Sequence, residues 1–219
     1  MKNILKIFFL ICAIANIRTG IWHDNAWHIG SKVLLMPTLI AGVLWSDFPK
    51  SKERLLLIVA LFFSWIGDIL LLSQVNQFIG GLVSFLTAHV CYIILFRNIW
   101  KEKSENGFKW QLIIPVIIFA SSLVIYLYPF LNELKIPVML YAGVISIMII
   151  SALHSFSIKT KEGLYIISGA ILFIASDSFL AINKFTHPIA DLSAIVMLTY
   201  ALAQLYITQG LILKNSSQN

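Results

Sequence analysis

The chain has 219 residues, 59% hydrophobic and 12% charged, with a mean hydropathy of +0.87 and a formal net charge of +6. Soluble domains carry about 25% charged residues, and several apolar runs here approach the ~20 residues that cross a hydrocarbon layer. The composition therefore argues against a soluble enzyme, and basic residues confined to loops argue against a nucleic-acid face.

Hydropathy predicts eight apolar segments, at about 4–19, 29–47, 55–73, 77–97, 110–130, 134–153, 163–182 and 190–213. The connections are short: "SQVNQ" (73–77) and "KSENG" (103–107) read as polar turns. The expected fold is all-α, a polytopic integral membrane bundle of eight transmembrane helices forming one domain over 1–219. Any chemistry must then come from residues on the helices or in short loops. The first segment, "MKNILKIFFLICAIAN", has the basic start and short apolar core of a secretory signal. Lys6 interrupts the run and no soluble domain follows, so it is read as a retained helix. Cys12 and Cys91 both lie in apolar segments and read as small fillers, giving neither a disulfide framework nor a metal-ligand spacing.

Orientation follows from the basic residues. With the N-terminus in the cytoplasm, that side holds Lys2, Lys6, Lys50, Lys52, Arg54, Arg97, Lys101, Lys103, Lys109, Lys159, Lys161 and Lys214, twelve in all. The other side holds the remaining four, Arg18, Lys32, Lys135 and Lys184. Both termini are therefore expected in the cytoplasm. Trp22, Trp27, Trp45, Trp100 and Trp110 lie near segment ends and fit interfacial anchoring; Trp65, one turn from Asp68, reads as a residue facing a cavity.

Polar residues inside such helices are costly, about 2.5–3.5 kcal/mol for a central aspartate even on lenient scales. "FFSWIGDILLL" places Asp68 beside Gly67, and "LFIASDSFLAI" repeats the arrangement with Ser176 and Asp177. The two pairs are 109 residues apart in the third and seventh segments, an echo compatible with a duplicated four-helix unit. Lys32, His89 and Tyr92 belong to the second and fourth segments, and Asn183 follows Asp177 toward the outer end. Tyr200 and Gln204, at i and i+4, share a face of the eighth. Reckoned from segment ends, Asp68, Asp177 and Lys32 fall at similar depth near the outer side, and Gly67 and Ser176 permit close approach.

Each residue has a plainer reading. The aspartates can pair with Lys32 or Lys184 to pin helices, Lys32 can snorkel, and His89, Tyr200 and Gln204 can serve as interhelical hydrogen-bonding groups. Two aspartates, each preceded by a small residue, favour a functional site. A metal centre is not expected, since no H-E-x-x-H or close histidine pair occurs, and G-x-S-x-G is absent as well.

The motifs "KVLLMP" (32–37), "LFFSWIGDILLL" (61–72), "FIGGLVSFLTAHVCY" (78–92), "SGAILFIASDSFLAINKF" (168–185) and "TYALAQLYITQG" (199–210) resemble, in order, the YhhN-type membrane proteins, a family that includes the animal lysoplasmalogenases. The resemblance implies an eight-helix membrane enzyme that hydrolyses the vinyl ether bond of lysoplasmalogens. The products would be a fatty aldehyde and glycerophosphoethanolamine or glycerophosphocholine. Carried over by position, the family's polar residues match Lys32, Asp68, His89, Asp177 and Asn183.

Vinyl ether hydrolysis proceeds by protonation of carbon to an oxocarbenium-like species, a charge problem that glycosidases solve with two carboxylates. Asp68 and Asp177 are accordingly expected to share the roles of acid and charge-stabilising base, in either assignment. Lys32 would bind the phosphate and His89 relay protons, with Tyr92, Tyr200, Gln204, Ser176, Gly67 and Asn183 supporting. No cofactor, nucleic acid or obligate protein partner is expected, and the location is a bacterial-type cytoplasmic membrane. The other function class is a proton-coupled carrier using the same aspartates; a non-catalytic scaffold would leave both unexplained.

Overall fold

The structure, a computed structural model, describes residues 3–21, 25–72, 74–102, 110–186, 189 and 192–216. Lys2, Trp22, His23, Ser73, Lys103, Lys109, His187 and the "KSENG" turn fall outside the described residues. Among the described residues there is no strand. The helices are α1 (Asn3–Ile21), α2 (Asn25–Leu44), α3 (Lys52–Leu70), α4 (Phe78–Glu102), α5 (Trp110–Leu127), α6 (Lys135–Ser155), α7 (Lys161–Phe185) and α8 (Leu192–Ser216). Two short 3-10 turns, Tyr128–Phe130 and Asn132–Leu134, join α5 to α6.

Each predicted segment corresponds to one helix, and the differences lie at the ends. α2 stops at Leu44, short of the expected 47, because Ser46–Lys50 form the turn into α3. The Arg54 guanidinium closes that turn, donating to the carbonyls of Leu44 and Phe48, both at 2.8 Å. Ser51 Oγ and Thr160 Oγ1 cap α3 and α7 by accepting from Arg54 N and Gly163 N. α4 and α7 run beyond their apolar stretches, since polar turns can continue a helix where it leaves the hydrocarbon. Among the described residues, six helices, α2 and α4 to α8, are long and apolar enough to cross a membrane; α3 falls outside that set because Lys52, Glu53, Arg54 and Asp68 all lie within its 19 residues.

The helices close on themselves. α1 packs on α2, α2 on α3, α3 on α4, α4 on α6, α6 on α7, α7 on α8, and α8 returns to α1. α5 stands outside this ring against α6 and α7, presenting Ile114, Ile117, Ile118 and Ile125 outward. Leu35, Leu39, Leu57, Leu61, Leu95, Phe96 and Phe173 fill the middle.

The α7–α8 contact is the most intimate, and glycine permits it. A Cβ on Gly169 would lie 2.9 Å from both Ala203 O and Ile207 N, and one on Gly210 would lie 2.8 Å from Glu162 O. Backbone atoms cannot yield as a side chain can. Gly169→Leu is therefore expected to destabilise the protein by at least the roughly 1–3 kcal/mol typical of overpacking. A fall in unfolding temperature in detergent checks this; an unchanged value would mean the helices are not so closely held.

Candidate active site

Asp177 sits on α7, where its carboxylate meets two side chains from other helices. Tyr141 on α6 donates its hydroxyl to Oδ2 at 2.6 Å. His89 Nε2 on α4 lies 3.2 Å from the same oxygen and 2.9 Å from the Tyr141 hydroxyl. His89 is fully buried, whereas the Asp177 side chain keeps 13% of its surface accessible. Both bonds fall on Oδ2. Phe173 and Tyr141 pack edge-on against the imidazole and fix its plane.

Asp68 sits in a second network. Its Oδ2 accepts from the Tyr200 hydroxyl of α8 at 2.8 Å, and the residue is only 3% exposed. One turn along α8, Gln204 donates to Ser64 Oγ at 2.9 Å and accepts from the Tyr92 hydroxyl at 2.7 Å. The Phe85 and Phe173 rings stand edge-on to Tyr200, and Phe85 also lines the space beside Asp177. These two rings lie between the networks, and no hydrogen bond joins the carboxylates. The partnering is reciprocal between the chain's halves: the aspartate of α3 is held from α8, and that of α7 from α4.

Above both networks lies a cavity of about 300 Å³ at one end of the ring. Its polar lining is Asn16, His28, Lys32, Asn76, Asn183, Lys184 and Ser193, with no carboxylate among them. Leu71 of the α3 terminus and Leu180 of α7 also line it. Asp68 lies three residues before Leu71 and Asp177 three before Leu180, so both carboxylates sit one turn beneath the same cavity. Two narrow spaces of about 40 and 50 Å³ continue from Asp177. The first shares Leu71, Phe78 and Leu180 with the large cavity. The second lies between α5, α6 and α7, lined by Phe119, Ala120, Val124, Ile145 and Ala181. The order is thus cationic cavity, carboxylate, apolar slot.

The sequence candidates divide accordingly. Lys32 lines the cavity and acts on Asp68 electrostatically, without a contact ion pair. Asn183 lines it too, but its side chain ties the α7–α8 connection, accepting from Ile189 N at 2.9 Å and donating to Ser193 Oγ at 3.3 Å. Ser176 Oγ donates to Val196 O, and Gly67 gives room to the Phe85 ring, so both serve packing beside the site. Trp65 is not a cavity residue: its Nε1 donates to Val33 O at 2.9 Å and holds α2 on α3. Trp27, Trp45 and Trp110 are exposed, as anchors would be, while Trp100 is half-buried against His154. Tyr141, Ser64, Phe85 and Asn16 escaped the sequence reading; a tyrosine in "VMLYAGV" carries no signal that it meets a carboxylate from another helix. Among the described residues, no group of three or more His, Cys, Asp and Glu gathers as metal ligands do.

Comparison with known proteins places this arrangement. The sequence pattern of the YhhN family matches residues 27–211, which include every element of the two networks. The chain belongs to the YhhN family. This YhhN protein is 30% identical over 207 residues to the lysoplasmalogenase TMEM86B of Homo sapiens, covering 93% of the chain and 84% of that relative. It is 29% identical over 166 residues to a lysoplasmalogenase of Mycobacterium tuberculosis, covering 74% of the chain. The same chain spans 62% of the mycobacterial protein's length. No solved structure matches it. Family membership and six membrane-length apolar helices together make it an integral membrane protein.

Proposed function

We propose that this protein is a membrane-embedded hydrolase that cleaves the vinyl ether bond of lysoplasmalogens, releasing a fatty aldehyde and the glycerophospho headgroup. One observation carries the reading: a cavity whose described lining is cationic and holds no carboxylate lies one turn above Asp177, whose other side opens on an apolar slot. A lysolipid has that order of parts. Its phosphate takes Lys32, the vinyl ether comes to Asp177, and the chain follows α5 and α6 toward the lipid. The names of the relatives favour this hydrolase over the proton-coupled carrier.

Asp177 is the acid. Protonated, it delivers its proton from Oδ1 to the β carbon of the vinyl ether, while Tyr141 and His89 hold Oδ2. Water adds to the resulting oxocarbenium carbon and its proton returns to Asp177. The hemiacetal collapses as a proton passes to the glycerol oxygen, giving aldehyde and alcohol with one water consumed. Asp68 is the second carboxylate, held beneath the cavity, where it positions Lys32 and offsets the developing cation. The bundle crosses the membrane eight times with both termini in the cytoplasm, the arrangement that the excess of basic residues on that side favours.

The test is aldehyde release from lysoplasmenylethanolamine by the purified protein in detergent. Release supports the reading, and folded protein that releases none would overturn it. Lys32→Met is expected to lower kcat/KM by roughly 10–100-fold, the value of a hydrogen bond to a charged group, with the loss falling mainly on KM. A kcat loss at unchanged KM would instead place Lys32 in the chemical step.

A further inference from the structure

The large cavity treats the two charges of a zwitterionic headgroup unequally. Lys32 and Lys184 suit a phosphate, but among the described residues no carboxylate lines the cavity to receive an ammonium. The described lining offers that charge neutral acceptors, and two of these are already engaged: Asn183 Oδ1 accepts from Ile189 N, and Ser193 Oγ accepts from Asn183 Nδ2.

Asn16, on α1, is different. Its Nδ2 donates to His28 O at 2.8 Å and to Ser31 Oγ at 3.2 Å, which fixes the orientation of the amide. The side chain is fully buried, and Oδ1 has no hydrogen-bond partner. Buried polar oxygens without a donor are uncommon in folded proteins, and this is the only such side-chain oxygen among the described residues that line the cavity. α1 lies before residue 27, outside the span that the family pattern covers.

Resting on the proposed lysolipid reading, we propose that Asn16 Oδ1 accepts an N–H from the primary ammonium of a phosphoethanolamine headgroup and so selects ethanolamine lysolipids over choline lysolipids. A trimethylated ammonium has no N–H. It would leave the oxygen as unpartnered as before while adding three methyl groups beside it. Sites built to hydrogen-bond a ligand group discriminate strongly against the analogue that lacks it.

The experiment compares kcat/KM of the full-length protein on lysoplasmenyl lipids bearing ethanolamine, N-methylethanolamine, N,N-dimethylethanolamine and choline. The first three retain at least one N–H. A preference of ~10-fold or more for ethanolamine over choline, lost mainly at the third methyl, is expected from loss of the last donor. A loss graded with each methyl would mean selection by size, and equal turnover of all four would mean no selection; either overturns the inference. Asn16→Leu should lower the ethanolamine rate alone and bring the two headgroups to within about 2-fold, once only a donor to Oδ1 separates them. Ser31→Ala, which removes one bond holding the amide, should keep the preference. If Asn16→Leu lowers both headgroups equally, the oxygen serves a glycerol hydroxyl or the packing, and the inference fails. Competition with glycerophosphoethanolamine and glycerophosphocholine, read as thermal stabilisation, separates this from the vinyl ether reading. Tighter binding of the ethanolamine compound by a protein that releases no aldehyde would sustain the inference and defeat the hydrolase.

Discussion

Asp177→Asn is expected to reduce aldehyde release by ~10²–10⁴-fold, the range for loss of a general acid, with little change in folding. Asparagine matches aspartate in size and keeps an oxygen to accept from Tyr141 at the position of Oδ2. What it cannot do is deliver a proton to carbon. The partners sharpen the expectation. Tyr141→Phe removes the 2.6 Å bond but leaves the carboxyl group, so a smaller loss is expected, concentrated in kcat. His89→Gln should fall between, because the imidazole touches both the tyrosine and the carboxylate. Groups acting as a unit lose less than the sum when removed together, so Asp177→Asn with His89→Gln should be scarcely slower than Asp177→Asn alone. Full activity in folded Asp177→Asn protein would remove the acid from the mechanism.

The sequence made the helices legible because a bilayer permits little else: each long apolar run had to satisfy its own backbone. It also made the anomalous residues legible, since Asp68, His89 and Asp177 stand out against leucine and phenylalanine. Their partners were harder to find. Tyr92, Tyr200 and Gln204 could be nominated because their polar groups lie among apolar neighbours, but the bonds join residues 112 to 140 positions apart. Nothing local reveals such pairings. The sequence grouped Asp68 with Asp177 on the strength of a repeated small-Asp pair; the fold puts both beneath one cavity but gives each its own tyrosine and sets Phe85 and Phe173 between them. Asn16 remained invisible because its importance depends on which of its amide atoms is occupied, a property of helix packing alone.

Asp68→Asn decides whether the second carboxylate acts. The residue is nearly sealed, its Oδ2 held by Tyr200, and it lines neither the large cavity nor the slot beside Asp177. Its influence must therefore pass through charge, by way of Lys32 and across Phe85. Asparagine preserves the acceptor for the Tyr200 hydroxyl and removes only the charge, so folding should survive. Turnover should fall by about 10²-fold, the lower end of what loss of one electrostatic stabiliser costs. Tyr200→Phe makes the converse change: the charge stays and the buried carboxylate loses its donor, at a cost of roughly 1–3 kcal/mol in stability. A stability loss in Tyr200→Phe with an activity loss in Asp68→Asn would separate the two contributions. The route of the effect is then read from a double-mutant cycle with Lys32→Met. If Asp68 works only by positioning Lys32, the double variant should be no worse than Lys32→Met alone. If it also offsets the cation at the substrate, the double variant should lose the further factor. Unchanged turnover in Asp68→Asn would reduce the chemistry to Asp177 with Tyr141 and His89, a single carboxylate serving in turn as acid and base.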